Sequence, residues 1–428
     1  MLELNRIYNM DCLDGMKLLD DNSVDSIVTD PPYELGFMGK KWDSTGIAYN
    51  VDVWRECLRV LKPGGHLLAF GGTRTYHRMA CAIEDAGFEI RDQMQWIYGS
   101  GFPKSHDISK AIDKKLGAER KIVEKRKFGG RSGDSPTAGA SNGGVQGGFN
   151  LKDNRDITSP ATPEAQEWEG WGTALKPANE PIVLARKPIS EKTIADNVLK
   201  WGTGGINIDG CRLNTLPRKT GTKPTSDEPT GTGNTLVGSS KNRQAEYDML
   251  NEGRFPANVI LDEEAGRMLD EQQEGASRFF YCAKPSKKER NMGLEGVEPT
   301  TVDDGRNKPI DNPFLRGKTL RQNTHPTVKP VKLMEYLITL VTPPNGIVLD
   351  PFMGSGTTAV ACIKTNRKYI GFEISEEYCK IAEKRISETT SNQIKLPKIE
   401  RNVPQRQFDW LDELLGGEQN GNKNFNRW

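Results

Sequence analysis

No stretch of this sequence stays apolar for long enough to span a membrane, and its first residues carry no signal-peptide core, so a cytoplasmic location away from membranes is expected. The seven cysteines are scattered, with no CxxC pair and no His/Cys cluster, so neither a disulfide framework nor a metal site is suggested. A charge excess is missing too: 59 Lys+Arg against 58 Asp+Glu leave a net +1. That balance does not exclude a nucleic-acid partner, because only the face that tracks phosphates must be basic. What is present is 428 residues, 35% hydrophobic and 27% charged, enough for one large α/β domain plus polar segments.

Two stretches stand out. In Ser26-Ile27-Val28-Thr29-Asp30-Pro31-Pro32-Tyr33 and in Val348-Leu349-Asp350-Pro351-Phe352-Met353-Gly354-Ser355-Gly356-Thr357-Thr358, an apolar run stops at an acid followed by proline. Ligands of an open α/β sheet sit beyond the carboxyl ends of its strands, so both acids are expected at one shared site. The second stretch turns on Gly354 and Gly356 into a helix, as a nucleotide-type cofactor loop should. It lacks the Gly-Lys-Ser/Thr ending of a phosphate-binding P-loop, which disfavours an NTPase. Glu373 follows about twenty residues later, where an acid can take both ribose hydroxyls; a dehydrogenase stays open on these two features, with nothing else to support hydride transfer.

Around these stretches the pattern is βαβ. Short strands are expected before Asp11, before Asp30, at His66–Phe70, at Phe88–Ile97 and at Tyr369–Glu373. Helices are expected at 51–61, Tyr76–Ala86, Ile108–Leu116, Val331–Val341, Thr357–Thr365 and Ser375–Ile386, with Lys62-Pro63-Gly64-Gly65 as the stop after the first of these. Residues 34–50 suit a lid. Lysine and arginine outnumber acids from Lys104 to Arg131, a candidate phosphate-tracking edge. Gly129–Ala165 reads as a flexible insertion, and Glu180–Pro188 as the last hairpin of the sheet. Between 190 and 320 short apolar pieces alternate with polar tracts, and Phe408–Leu415 is an amphipathic patch in a polar tail.

Asp-Pro-Pro-Tyr at 30–33 with Asp-Pro-Phe-Met-Gly-Ser-Gly-Thr-Thr at 350–358 resembles the S-adenosylmethionine-dependent DNA amino-methyltransferases, and the order, catalytic motif first, resembles their β group. The resemblance covers residues 1–100 and 320–387 well and the middle only in patches. It implies a Rossmann-like, doubly wound α/β sheet with circularly permuted motif order. A catalytic half would span 1–190, a loop-rich target recognition region 191–322, a cofactor half 323–387 and a tail 388–428. Candidate base readers in the recognition region include Arg212, Arg218, Lys219, Lys223, Lys241, Asn242 and Arg243, most of which would by themselves be solvated or touch only phosphate.

S-adenosylmethionine would then be held by Asp11 and Cys12 near the adenine, Glu373 at the ribose, Phe352 by packing, and the loop Gly354, Ser355, Gly356 and Thr357 at the methionine part. Asp350 would face the amino and sulfonium charges, with His325, Thr327 and Lys329 at the carboxylate. A capping role at the next helix is the plainer reading of Asp11. Transfer to an exocyclic amine is difficult because the nitrogen lone pair is delocalised into the ring. The Asp30 carboxylate and the Pro31 carbonyl, in a loop stiffened by Pro32, are acceptors that would grip both amine protons, while Tyr33 stacks on the flipped-out base. None of the cysteines follows proline, so the covalent nucleophile of carbon-5 cytosine enzymes is absent. With Asp first in the tetrad, the resemblance favours adenine N6 in duplex DNA over cytosine N4. An RNA methyltransferase and a catalytically idle DNA-binding relative are the further alternatives. The resemblance leaves a homodimer and a cognate restriction endonuclease open as partners.

Overall fold

The computed structural model describes residues 2–35, 41–99, 105–124, 157–213, 253–283, 291, 294, 300–302, 319–323, 325 and 328–395. Residues 1–389 form one unit, and 390–428 a second of which only a helix end is described. The strands are β1 (Arg6–Tyr8), β2 (Val24–Thr29), β3 (Leu61–Phe70), β4 (Glu89–Ile97), β5 (Ile122–Glu124), β6 (Ile157–Thr158), β7 (Asn179–Arg186), β8 (Val259–Asp262), β9 (Tyr281–Ala283), β10 (Thr300–Val302), β11 (Thr319–Arg321), β12 (Ile347–Asp350) and β13 (Lys368–Phe372). The helices are α1 (Cys12–Lys17), α2 (Val51–Val60), α3 (Tyr76–Asp85), α4 (Ile108–Leu116), α5 (Pro163–Glu167), α6 (Ile194–Trp201), α7 (Glu263–Gln272), α8 (Val331–Val341), α9 (Thr357–Lys364) and α10 (Glu376–Lys395).

Among the described residues a nine-stranded sheet runs β1-β13-β12-β2-β3-β7-β4-β8-β9. Every neighbouring pair is parallel except those made by β7. This is the expected doubly wound α/β class. Strand β2 is buried at every position, as a central parallel strand covered on both faces must be. Successive residues serve opposite layers. Val28, Leu68 and Val348 pack with α8 on one face, and Ile27, Leu67 and Leu349 pack with α2 and α3 on the other. Helix α8 is apolar nearly all round because it lies between the sheet and α9. The permuted halves meet where β12 pairs with β2, so the two motif strands lie side by side at the sheet's switch point.

Four expectations change. The helix does stop before Lys62–Gly65, but β3 starts at Leu61 rather than at the expected His66 and absorbs those residues as a bulge, with Gly64 at φ +78°. Pro63 has no N–H for the ladder, and its carbonyl is taken by Asn197 Nδ2 and Thr203 Oγ1 from the α6 segment. Strand β7 does not close the sheet; it lies antiparallel between β3 and β4, because Pro181–Arg186 is buried on both faces. Within 191–322, expected to break the βαβ rhythm, the described β8, α7 and β9 form a parallel βαβ unit that extends the same sheet. The end of the presumed flexible insertion is ordered: β6 pairs with β5, Thr162 caps α5, and Asp113 gathers Arg120, Ala161 N and Thr162. Arg120 therefore faces inward and is no part of a phosphate-tracking edge. The remaining insertion at 129–156, the patch at 408–415 and the candidate readers Arg218, Lys219, Lys223, Lys241, Asn242 and Arg243 lie outside the described residues. Arg212 is described, and its guanidinium is engaged by Asp209 and the Gly253 carbonyl.

Candidate active site

The two motif acids do different work. Asp350 is 2% exposed and ties three segments together: Thr29 Oγ1 and Thr358 Oγ1 each donate to it at 2.6 Å, and Phe352 N at 3.0 Å. Burial pushes its carboxyl up to about 6 against those three donors. An acid so enclosed cannot meet the charges of a cofactor, which corrects the role expected for it. It joins the ends of β2 and β12 to the first turn of α9.

Beyond Asp350 the chain makes the expected glycine turn. Gly354 (φ +54°) and Gly356 (φ +80°) hold conformations that favour glycine, and a Cβ on Gly354 would come within 2.8 Å of His325 Nε2. Gly354 N donates to Glu373 Oε2 at 2.8 Å, and Ser375 N to Glu373 Oε1 at 2.8 Å. Burial raises the Glu373 carboxyl, opposed by these backbone donors. Arg385 of α10, fully buried, donates to the Ser355 carbonyl and hydroxyl and to Thr357 Oγ1. Arg385 thus holds the loop from behind at Ser355 and Thr357. Asp11 caps α1, accepting from Leu13 N at 2.8 Å and Asp14 N at 3.4 Å, and also lines the cavity, so the capping reading and the pocket reading coexist. The strand before it ends at Tyr8, earlier than expected.

On the other side Asp30 follows β2 directly. Its Oδ2 receives Lys329 Nζ at 2.6 Å, and its Oδ1 is buried without a hydrogen-bond partner. The same ammonium lies 3.3 Å from Glu180 Oε2, which also accepts from the Tyr33 hydroxyl at 2.8 Å. Lys329 is enclosed by rings, 4.9 Å from the Phe70 centroid and 5.2 Å from that of Tyr33. Burial, and secondarily Glu180, raises the Asp30 carboxyl, while Lys329 and the nearby Tyr33 hydroxyl oppose the rise. Two carboxylates keep Lys329 protonated despite its burial. Lys329 was expected at the cofactor carboxylate; the structure instead commits it to Asp30 and Glu180. Thr75 Oγ1 donates to the Tyr33 carbonyl at 2.8 Å and fixes the end of the tetrad.

A cavity of about 620 Å³ opens between these two walls. It brings together Asp11, Cys12, Asp30, Pro31, Pro32, Tyr33, His325, Phe352, Gly354 and Glu373 from the expected set. Lys329, Asp350, Ser355, Gly356 and Thr357 stand behind its surface, and Thr327 lies outside the described residues. Burial pushes the Cys12 thiol up to about 12, so Cys12 is an inert wall. Glu180, Asn179, Tyr98 and Tyr378 also line the cavity and were not foreseen. Glu180 carries no motif signal, because it only opens a strand whose neighbours place it.

The described lining residues include five carboxylates, those of Asp11, Asp30, Asp43, Glu180 and Glu373, and among them no lysine or arginine. Such acidic walls repel a pyrophosphate and attract a sulfonium carrying an ammonium group, which favours the latter over the dehydrogenase alternative. The room that Gly354 leaves beside His325, and the Glu373 carboxylate on the cavity wall, are compatible with S-adenosylmethionine.

Residues 24–384 match the family model described as DNA methylase, N6_N4_Mtase. The Type II methyltransferase M.HindIII of Haemophilus influenzae is 23% identical over 90% of this chain and 96% of its own length. The DNA adenine methyltransferase YhdJ of Escherichia coli is 42% identical over 18% of this chain and 26% of its own length. Solved relatives include PvuII DNA methyltransferase (cytosine-N4-specific), with TM-score 0.43 and 15% identity over 91% of this chain and 90% of that one. The M1.HpyAVI–SAM complex has TM-score 0.38 and 18% identity over 89% and 98% of the two chains. The match through both motif strands and everything between them means that the chain belongs to the N6/N4 DNA methylase family, whose cofactor is S-adenosylmethionine.

Proposed function

We propose that this protein methylates the exocyclic N6 of an adenine flipped out of duplex DNA. The observation that carries the reading is the state of Asp30: one carboxylate oxygen is pinned by Lys329, and the other is desolvated, unpartnered and part of a residue that lines the cavity. Leaving an acceptor bare in this way costs about 1–3 kcal/mol unless a donor arrives, so the pocket is built for one. An exocyclic amine supplies two. Asp30 Oδ1 and the Pro31 carbonyl would hold its protons so that the lone pair points away from the ring, and Asp30 is placed to take the proton that the amine gives up. The Tyr33 ring, held at its hydroxyl by Glu180 and at its carbonyl by Thr75, offers a fixed face for stacking.

When bound, S-adenosylmethionine supplies an electrophilic methyl group on a sulfonium. On the protein side Glu373 would take the ribose hydroxyls, Asp11 the adenine amine, and Phe352 and Ile374 the apolar faces. His325, beside Gly354, would border the methionine part.

Adenine is supported by the aspartate that opens the tetrad and by the similarity to YhdJ, named an adenine methyltransferase. Cytosine N4 presents the same amine geometry and is the second reading. The Type II designation of M.HindIII supports a search for a cognate endonuclease. Nucleoside mass spectrometry on unmethylated duplex DNA incubated with the protein and S-adenosylmethionine tests the reading. N6-methyladenine made by wild type and not by Asp30→Ala is the expected result. N4-methylcytosine would keep the mechanism and change the base.

A further inference from the structure

Glu180 lies on β7, the reversed strand, far in sequence from both motifs, yet it meets the catalytic tetrad at two points. Its Oε2 accepts the Tyr33 hydroxyl at 2.8 Å and lies 3.3 Å from Lys329 Nζ. Lys329 in turn reaches Asp30 at 2.6 Å, and it is only 6% exposed. Three elements with no covalent proximity thus converge on one lysine and two carboxylates. A single acid would have neutralised Lys329. The second leaves the cluster with one net negative charge in a buried place, an arrangement that needs a reason.

We propose that Glu180 is a positioning residue for amine methylation: it fixes the Tyr33 ring through the hydroxyl and draws Lys329 into the site. That leaves Asp30 Oδ1 free for the amine while Oδ2 stays pinned. The inference rests on the amino-methylation reading above. Were Glu180 absent, Lys329 would have, among the described residues, only the Asp30 carboxylate to engage and could bridge both of its oxygens, taking the acceptor that the base needs. The Tyr33 ring would lose the bond that sets its plane.

The charge has a consequence. The groups that face Asp30 are Lys329, Glu180 and Tyr33, with Asp350 behind it and Tyr98 beside Glu180 and Lys329. Of these, Glu180 and Asp350 repel the Asp30 charge, and Lys329 favours it. Asp30 must be ionised to accept from the amine, so the acid limb of the pH–rate profile reports its carboxyl. Removing the Glu180 charge moves that limb to lower pH.

The test compares wild type, Glu180→Gln and Glu180→Asp in single-turnover methylation of duplex DNA across pH, with cofactor affinity by calorimetry and thermal unfolding in parallel. Glu180→Gln is expected to lower the methylation rate by about tenfold to a hundredfold, as expected for a misplaced reactive group. Its acid limb moves to lower pH, while its affinity for S-adenosylmethionine stays near that of wild type. Glu180→Asp keeps the charge but withdraws the carboxylate by one methylene; its acid limb stays in place and its rate falls. Should Glu180→Gln fail to fold, the Asp variant carries the test, because an Asp variant with the wild-type rate overturns the positioning role. A folded Glu180→Gln with the wild-type rate and profile, or one altered only in melting temperature, overturns it as well. Wild type that makes no methylated nucleoside at all would instead remove the reading beneath it.

Discussion

Lys329 Nζ donates to Asp30 Oδ2 at 2.6 Å across 299 residues of chain. The lysine comes from the segment that leads into α8, and the acid from the end of β2. Their bond unites the two permuted halves at the point of chemistry, as the contact of Thr29 with Asp350 does one residue deeper. One contact sets up the catalytic acceptor, and the other holds the strand ends that carry it.

Asp30→Ala removes the acceptor and leaves the cofactor wall untouched. The methylation rate is expected to fall by at least about 10²–10³-fold, the loss typical of a single preorganised polar group. Cofactor affinity measured by calorimetry should remain. A mutant that loses both together would place Asp30 in the cofactor site.

The burial of Asp350 predicts an acid-side stability signature. Its carboxyl is raised to about 6 in the folded protein, above the ordinary aspartate range, so the folded state binds the extra proton. Its contribution is therefore fullest at low pH and is lost as pH rises from about 4 through about 6, by on the order of 2–3 kcal/mol. Asp350→Asn, which cannot ionise, should lack this term. Chemical denaturation at pH 4.5 and pH 7 should show the stability of wild type relative to the variant improving toward the lower pH. A difference independent of pH would contradict a raised carboxyl.

His66 works in the opposite sense. Burial first, and then Arg186 and Arg91, hold its imidazole down to about 4, so it is neutral inside the folded protein. Its stabilising share is present above about 6.5 and disappears as pH falls through about 4. In Asp350→Asn the two terms no longer offset each other. That variant should lose stability on acidification more steeply than wild type, and His66→Gln in the same background should flatten the curve.

The two loop glycines separate binding from folding. Gly354→Ala puts a methyl group 2.8 Å from His325 Nε2 beside the cavity, so cofactor affinity should drop. Gly356→Ala drives a methyl group to 2.8 Å from the Ala382 Cβ, inside the packing of α10, so thermal stability should drop. Each also bears about 1–3 kcal/mol of backbone strain. Calorimetry and thermal unfolding on both variants should show opposite emphasis; equal losses in both measurements would mean that the loop responds as one unit.

Arg385→Met tests the support behind that loop. The change strands the Ser355 carbonyl and two hydroxyls, at about 1–3 kcal/mol for a buried unsatisfied group. Stability should fall by that order and cofactor affinity with it, although Arg385 does not line the cavity. Unchanged affinity in a folded variant would confine Arg385 to a packing role.

Much of the site was legible because its signals are local. A strand that ends at an acid before proline, a turn that requires glycine at positive φ and an apolar period of helical spacing are all set by backbone sterics and burial within a few residues. Asp30–Tyr33, Gly354, Phe352 and Glu373 carry such signals, and the cavity gathers all of them. The composition of 190–320, short apolar pieces between polar tracts, shows no βαβ rhythm, but β8 and β9 are short, and whether a short apolar piece joins a sheet depends on which strand edge it meets.

The sequence by itself determined the class of fold, the two motif strands, the permuted order and the cofactor loop, since each follows from the steric and hydrophobic character of contiguous residues. The tertiary structure alone decided which charges meet. It enclosed Asp350 between Thr29 and Thr358, moved Lys329 from the cofactor to Asp30, and brought Glu180 to Tyr33. An electrostatic contact depends on distance in space and on excluded water, and neither is encoded by spacing along the chain.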